Sequence, residues 1–175
     1  MSRDIETQAT DLLKQTNLFK QMVDVDAVAE ALKISVNSQP LEDGFSAFLL
    51  VKEGNATAFV NSDHHPNRQR FSLAHEIGHF ILHHQPSKKL DDLFLDKSLA
   101  LYTRKDHHSN EMERQANEFA AALLMPRELL EKYIAKNDLD IEDEFDVSRL
   151  AMAFGVSEQA LQIRLNKLNL AFPNF

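Results

Sequence analysis

The chain reads as an α+β protein in which three short strands are set between helices. Two observations carry this reading. Apolar residues recur at helical spacing before residue 33 and after residue 70, while residues 33–61 hold three runs rich in β-branched and aromatic side chains, separated by polar turns. A length of 175 residues supports one domain, or one domain with a small appendage, with enough apolar material for a real core.

Residues 2–17 form the first expected helix: Ser2 can cap it, Asp4 and Glu6 lie in its first turn, and Ile5, Ala9, Leu12 and Leu13 share one stripe. A short second helix is expected over Asp26 to Leu32. The strand-like runs are "KISVN", "FSAFLLV" and "ATAFVN", the last two joined by a hairpin turn at "KEGN". A polar connection, "SDHHPNRQR", leads into the helix "FSLAHEIGHFILHH". Gln85 to Ser109 is polar and less regular, and a strong helix follows in "NEMERQANEFAAALLM". Pro126 ends that helix and can open another in "PRELLEKYIAK". An acidic linker, "NDLDIEDEFD", then precedes a helix, a glycine-containing turn and a last helix in "VSRLAMAFGVSEQALQIRLNKLNL". The expected division is therefore 1–137 and 138–175.

Composition narrows the function. The absence of cysteine excludes disulfides, thiol catalysis and Cys-ligated zinc, and suits a reducing compartment. No apolar run spans a bilayer and the polar start shows no secretory leader, so a cytoplasmic protein is expected. A formal charge of −8 opposes broad nucleic-acid binding, which needs a basic face.

The helix of residues 71–84 carries the chemistry. Residues four apart on a helix project together, so His75 and His79 present two imidazoles to one point, a spacing suited to tetrahedral Zn²⁺. Leu73, Ile77, Phe80 and Ile81 fall roughly opposite, toward a core. Glu76 sits beside the metal face, where a carboxylate can reach the attacking water without competing as a ligand, the place of a general base. Gly78 costs about 1 kcal/mol against alanine inside a helix, which points to a second helix crossing closely there.

A hydrolytic zinc site takes three protein ligands. No third histidine stands at the short spacing of the H-E-x-x-H-x-x-G-x-x-H pattern. The helix "EMERQANEFAAALLMP" offers Glu113, with Asn117 on the same line to orient a ligand histidine, and Ala116, Ala120 and Ala121 for close approach to Gly78. Glu111 and Glu118 are rival ligands, and Glu113 could instead close a capping box with Asn110.

"RFSLAHEIGHFILHH" followed by "ERQANEFAAALLMP" resembles the ImmA/IrrE family of intracellular zinc metallopeptidases, within the gluzincin class that combines H-E-x-x-H with E-x-x-A-[ND]. The resemblance covers about residues 20 to 130. It implies zinc on His75, His79 and Glu113, Glu76 as catalytic base and Asn117 in support. It also implies a small zincin-like peptidase domain, with a sheet of about three strands packed on the H-E-x-x-H helix. The implied partner is a protein substrate: a helix-turn-helix repressor or an antitoxin encoded nearby, in phage, mobile-element or stress genes. "ATAFVN" is the expected sheet edge that an extended substrate would join.

The tail resembles the helix-turn-helix-like segment that follows the peptidase domain in relatives. Its second helix offers Gln159, Gln162, Arg164, Asn166 and Lys167, yet the acidic linker favours packing or protein docking over DNA reading. For stabilising the oxyanion, Tyr102 ranks first, ahead of His107, His108, Arg68 and Arg70. His83 ends the helix or binds substrate, and His64 and His65 form a loop pair without an assigned role. The competing function is a non-catalytic, zinc-stabilised binding protein that sequesters its partner. The carboxylate of Glu76 beside the metal favours hydrolysis, because a purely structural site needs no base.

Overall fold

A computed structural model describes residues 4–42, 44–82 and 107–170, with side chains described from residue 111 onward in the last span. The described elements run α1 (Ile5–Gln15), α2 (Val25–Ala31), β1 (Ile34–Gln39), β2 (Ala47–Lys52), β3 (Asn55–Asn61), α3 (Pro66–Ile81), α4 (His107–Leu124), α5 (Arg127–Asn137), α6 (Glu144–Phe154) and α7 (Glu158–Lys167). The α+β expectation and the three strands hold. Ser2, the expected first cap, lies outside the described residues, and Asp4 takes the N-cap position. Asp24, Asp143 and Ser157 cap α2, α6 and α7 by accepting main-chain N–H bonds.

The sheet order is β1-β3-β2, with β1 parallel and β2 antiparallel to β3. The strand "ATAFVN" is therefore the centre of the sheet, which corrects its expected place at the edge. Among the described residues, the edge beside α3 that pairs with no further strand belongs to β2. Its buried or half-buried alternate residues, Ala56, Ala58 and Val60 on β3 with Ala47 and Leu49 on β2, face the helices.

Helix α3 starts earlier than the apolar pattern suggests, at Pro66, with the His65 ring accepting the Asn67 N–H at 3.2 Å. Its first turns are polar because they bond outward: Asn67 Nδ2 donates to the Val156 carbonyl at 3.0 Å, and Arg70 Nε to the Gly155 carbonyl at 3.1 Å. Tertiary bonding thus supplies what hydrophobic periodicity lacks there. The acidic linker is likewise shorter than expected, since α6 begins at Glu144.

The tail shares the core of the rest of the chain. Leu150, Phe154, Leu161 and Leu165 are buried in one cluster with Leu13, Ile77, Phe119 and Leu130. Gly155 ends α6 in the left-handed conformation at φ 62°, and a Cβ there would lie 3.1 Å from Arg70 Nε. Arg164 of α7 is turned inward, away from any surface on which it could read a partner. It is 2% exposed, donates to the Met125 carbonyl at 3.1 Å, and pairs with Glu6 at 2.5 Å.

Candidate metal centre

Two helices build the site. On α3, Leu73 and Ile77 are buried in the core, which turns His75 and His79 to the other side. On α4, Ala116, Phe119 and Leu123 are fully buried and Glu113 is left half-exposed at the facing surface. Gly78 permits the approach: a Cβ on it would lie 3.1 Å from the Ala116 carbonyl oxygen and 3.2 Å from Phe119 Cβ. Helix-breaking cost at residue 78 is thereby exchanged for a short distance between the two ligand-bearing helices.

The convergence is tight. His75 Nε2 lies 3.0 Å from His79 Nε2, and the Glu113 carboxylate oxygens lie 3.2 Å from His75 Nε2 and 3.3 Å from His79 Nε2. One donor atom from each of the three residues falls within 4.8 Å of the others. On the far side of the ring, His75 Nδ1 meets Asn117 Oδ1 at 3.0 Å. An oxygen acceptor there keeps the proton on Nδ1 and frees the Nε2 lone pair for a cation. Two imidazoles and a carboxylate, converging on one point with the tautomer set, fit a divalent metal of the zinc type.

The rivals for the third ligand are engaged elsewhere. Glu111 bonds Arg114 and Gln115, and Glu118 pairs with Arg114 and Lys167. The capping-box alternative also fails, since α4 begins at His107, three residues before Asn110. Arg68 donates to Ser46 Oγ, and Arg70 is spent on the Gly155 and Val23 carbonyls. Tyr102 and His83 lie outside the described residues, as do the side chains of His107 and His108.

Electrostatics follow from burial and charge. The Glu113 carboxyl is held well below the usual carboxylate range by hydrogen bonds from His75 and His79, against an opposing desolvation. Burial pulls His75 down, but the hydrogen-bonded Glu113, the charge of Glu76 and the Asn117 contact outweigh it, so its pKa is raised. Glu76 is 9% exposed, and burial raises its carboxyl above the ordinary value despite the two neighbouring histidines. A hydrogen bond to the main chain of Leu49 works in the opposite direction, favouring the ionised form.

That contact with β2 is the feature the residue pattern did not disclose. Asn61 N–H donates to the Ser46 carbonyl at 3.0 Å, which makes Ser46 and Asn61 a hydrogen-bonded pair of the antiparallel ladder. Counting along the register, Ala47, Leu49 and Val51 hold the alternate positions, with their main-chain groups turned to the free edge. Leu49 thus meets Glu76 from the edge strand. Only the strand order reveals this, because the group is backbone and carries no residue signature.

The family model described as the IrrE N-terminal-like domain, a peptidase family, matches residues 29–166. A Radiation response metalloprotease IrrE of Deinococcus deserti is 40% identical over 77 residues, which is 44% of this chain and 25% of that protein. A solved Mycobacterium tuberculosis transcriptional regulator superposes with a TM-score of 0.62 at 18% identity, covering 93% of this chain and 46% of that one. At that identity the likeness is one of fold. The chain matches a quarter of the length of the first relative and just under half of the second.

Proposed function

The chain belongs to the IrrE N-terminal-like peptidase family, and from that premise we propose that it is a zinc-dependent endopeptidase with a narrow range of protein substrates. The observation that carries the reading is the convergence of His75, His79 and Glu113 within 4.8 Å, flanked by a buried Glu76. Those three residues would hold the metal. When bound, zinc supplies Lewis acidity to the scissile carbonyl and to the attacking water.

The remaining roles belong to the chain itself. Glu76, kept in a site of low polarity by burial, takes a proton from the attacking water and delivers it to the leaving amine. Leu49 holds Glu76 from the side of the edge strand. With the Leu49 N–H given to Glu76, the outward main-chain groups of Ala47 and Val51 and the Leu49 carbonyl are left for an extended substrate to pair with, which lays the peptide alongside the base. Asn117 keeps His75 in its ligand tautomer.

A regulatory protein of the helix-turn-helix repressor or antitoxin type is the proposed substrate, on the strength of the family resemblance. Direct DNA reading by the tail is not part of the proposal: Arg164 is buried and the chain carries a charge of −8.

Incubating the zinc-supplied protein with extract of its source cells, and reading new N-termini by mass spectrometry, tests the reading. The wild type should generate one or a few new termini, and Glu76→Gln none while retaining metal. Stable capture of an uncut partner by both forms would replace proteolysis with sequestration.

A further inference from the structure

The inner face of the tail is committed to the body of the protein. Arg164 is buried against Glu6 and the Met125 carbonyl, and Lys167 pairs with Glu118 of α4 at 2.8 Å. The Gly155 and Val156 carbonyls accept bonds from Arg70 and Asn67 of α3. Among the described residues the outward faces of α6 and α7 remain exposed; α7 shows one large apolar side chain, Ile163, and α6 two, Phe145 and Met152.

The α6 face is unusually apolar for its exposure. Phe145 and Met152 stand seven residues apart, on one line of the helix, and are 70% and 75% exposed. Val147, Leu150, Ala151 and Phe154 are buried on the opposite side. Helix α6 therefore carries apolar residues on both faces, and only one is covered by the described residues. A single exposed apolar side chain is ordinary. Two at heptad spacing make the stripe that a second helix takes. Arg149 lies between them, its guanidinium carbon 5.8 Å from the Phe145 ring centroid.

Charge identifies the occupant. Residues 138–146 include Asp138, Asp140, Glu142, Asp143, Glu144 and Asp146, with no basic residue among them. Asp140, Asp143 and Asp146 are used locally, bonding main-chain N–H groups or Arg149. The carboxylates of Asp138, Glu142 and Glu144 make no hydrogen bond or ion pair among the described residues. We propose that the outward face of α6, with Phe145 and Met152 as anchors and Glu142 and Glu144 at its N-terminal end, docks a basic amphipathic helix of a partner protein. Apolar anchors beside an acidic end complement Lys or Arg beside an apolar stripe, and they repel phosphate. The surface uses no residue of the metal centre, so it stands or falls separately from the peptidase reading.

The probe is a fluorescein-labelled Leu/Lys peptide of about 18 residues, long enough to fold as a helix on contact, with leucines at helical spacing. Anisotropy titrations of the full chain at physiological ionic strength compare it with a scrambled Leu/Lys peptide, a Leu/Glu analogue and a labelled DNA duplex. The patterned Leu/Lys peptide should bind. Phe145→Ser combined with Met152→Ser should weaken it by about tenfold or more, and Glu142→Lys with Glu144→Lys should weaken it too. The Phe145/Met152 variant should stay close to the wild-type unfolding midpoint, because these side chains are exposed, while Glu144→Lys in the first turn of α6 should lower it slightly. Hydrogen exchange should show protection centred on residues 138–152. The proposal is overturned if the patterned peptide does not bind, if the scrambled peptide binds equally, if the Phe145/Met152 variant binds as the wild type does, or if the duplex binds through the same residues.

Discussion

His75 Nδ1 and Asn117 Oδ1 lie 3.0 Å apart, so a residue of α4 decides which nitrogen of an α3 histidine faces the metal position. Asn117→Ala should lower zinc affinity by about 10–100-fold, the usual cost of losing such an orienting partner. Because Asn117 is exposed, unfolding stability of the metal-free protein should move by only about 0.5 kcal/mol. Asn117→Asp keeps the acceptor and should restore most of the affinity. Competition with a chelator of known affinity measures all three.

Gly78→Ala tests the close approach of the ligand helices. Intrinsic helix propensity alone favours alanine by about 1 kcal/mol. The new Cβ, however, would stand 3.1 Å from the Ala116 carbonyl oxygen and 3.2 Å from Ala116 Cα. Those are backbone atoms that cannot rotate away, so overpacking should win and the variant should be destabilised by about 1–2 kcal/mol. Chemical unfolding checks the sign, and a parallel fall in zinc affinity checks that the helices have moved apart.

Metal-free and metal-loaded protein should respond to pH in opposite senses. In the metal-free form Glu113 is depressed, so its contribution is present above the ordinary carboxylate pKa and is lost as pH falls through its lowered value. His75 is raised, so its contribution is present below the ordinary imidazole pKa and is lost as pH rises through its raised value. The metal-free protein should accordingly be favoured in the mildly acidic range between them. Zinc needs the neutral imidazole, and its affinity should fall as pH drops through the raised His75 pKa, with proton release on binding. Thermal unfolding of both forms between mildly acidic and mildly alkaline pH, with calorimetry in two buffers, separates the trends.

Arg164→Ala should be strongly destabilising for reasons unrelated to chemistry. It leaves the Met125 carbonyl without its donor and Glu6 without its cation. Removing one member of a buried pair costs about 3–5 kcal/mol, and the partial exposure of Glu6, at 26%, places this case near the lower end. Arg164→Met, which fills the volume without a buried charge, should lose less. Urea unfolding ranks the two variants.

The candidate metal group is legible in the residues as far as helical geometry is local. An i, i+4 histidine pair must share a face, and the glycine between them announces a close neighbour. The engagement of Glu111 and Glu118 by Arg114 is also local, at i,i+3 and i,i+4 spacing on α4, whereas the Lys167 contact with Glu118 and the approach of Glu113 to the histidines are tertiary. Strand order is not legible, because periodicity gives a strand's faces and not its neighbours, and so the central position of β3 emerges only from the fold. The start of α3 was hidden for a related reason. Its first turns are stabilised by Asn67 and Arg70 bonding to a turn more than eighty residues away. The burial of Arg164 is not legible in the sequence, since its partners, Glu6 and Met125, lie far from it in the chain.

The proposed hydrolysis requires His75, His79 and Glu113 together to hold one divalent cation with a coordination position left for substrate. Cobalt(II) titration of the metal-free protein, followed by visible absorption, tests it most directly. An intense tetrahedral-type spectrum should saturate at about one equivalent per chain, unchanged in Glu76→Gln and lost or strongly weakened in Glu113→Ala. A wild-type spectrum that persists undiminished in Glu113→Ala, or no saturable binding in the wild type, would contradict it.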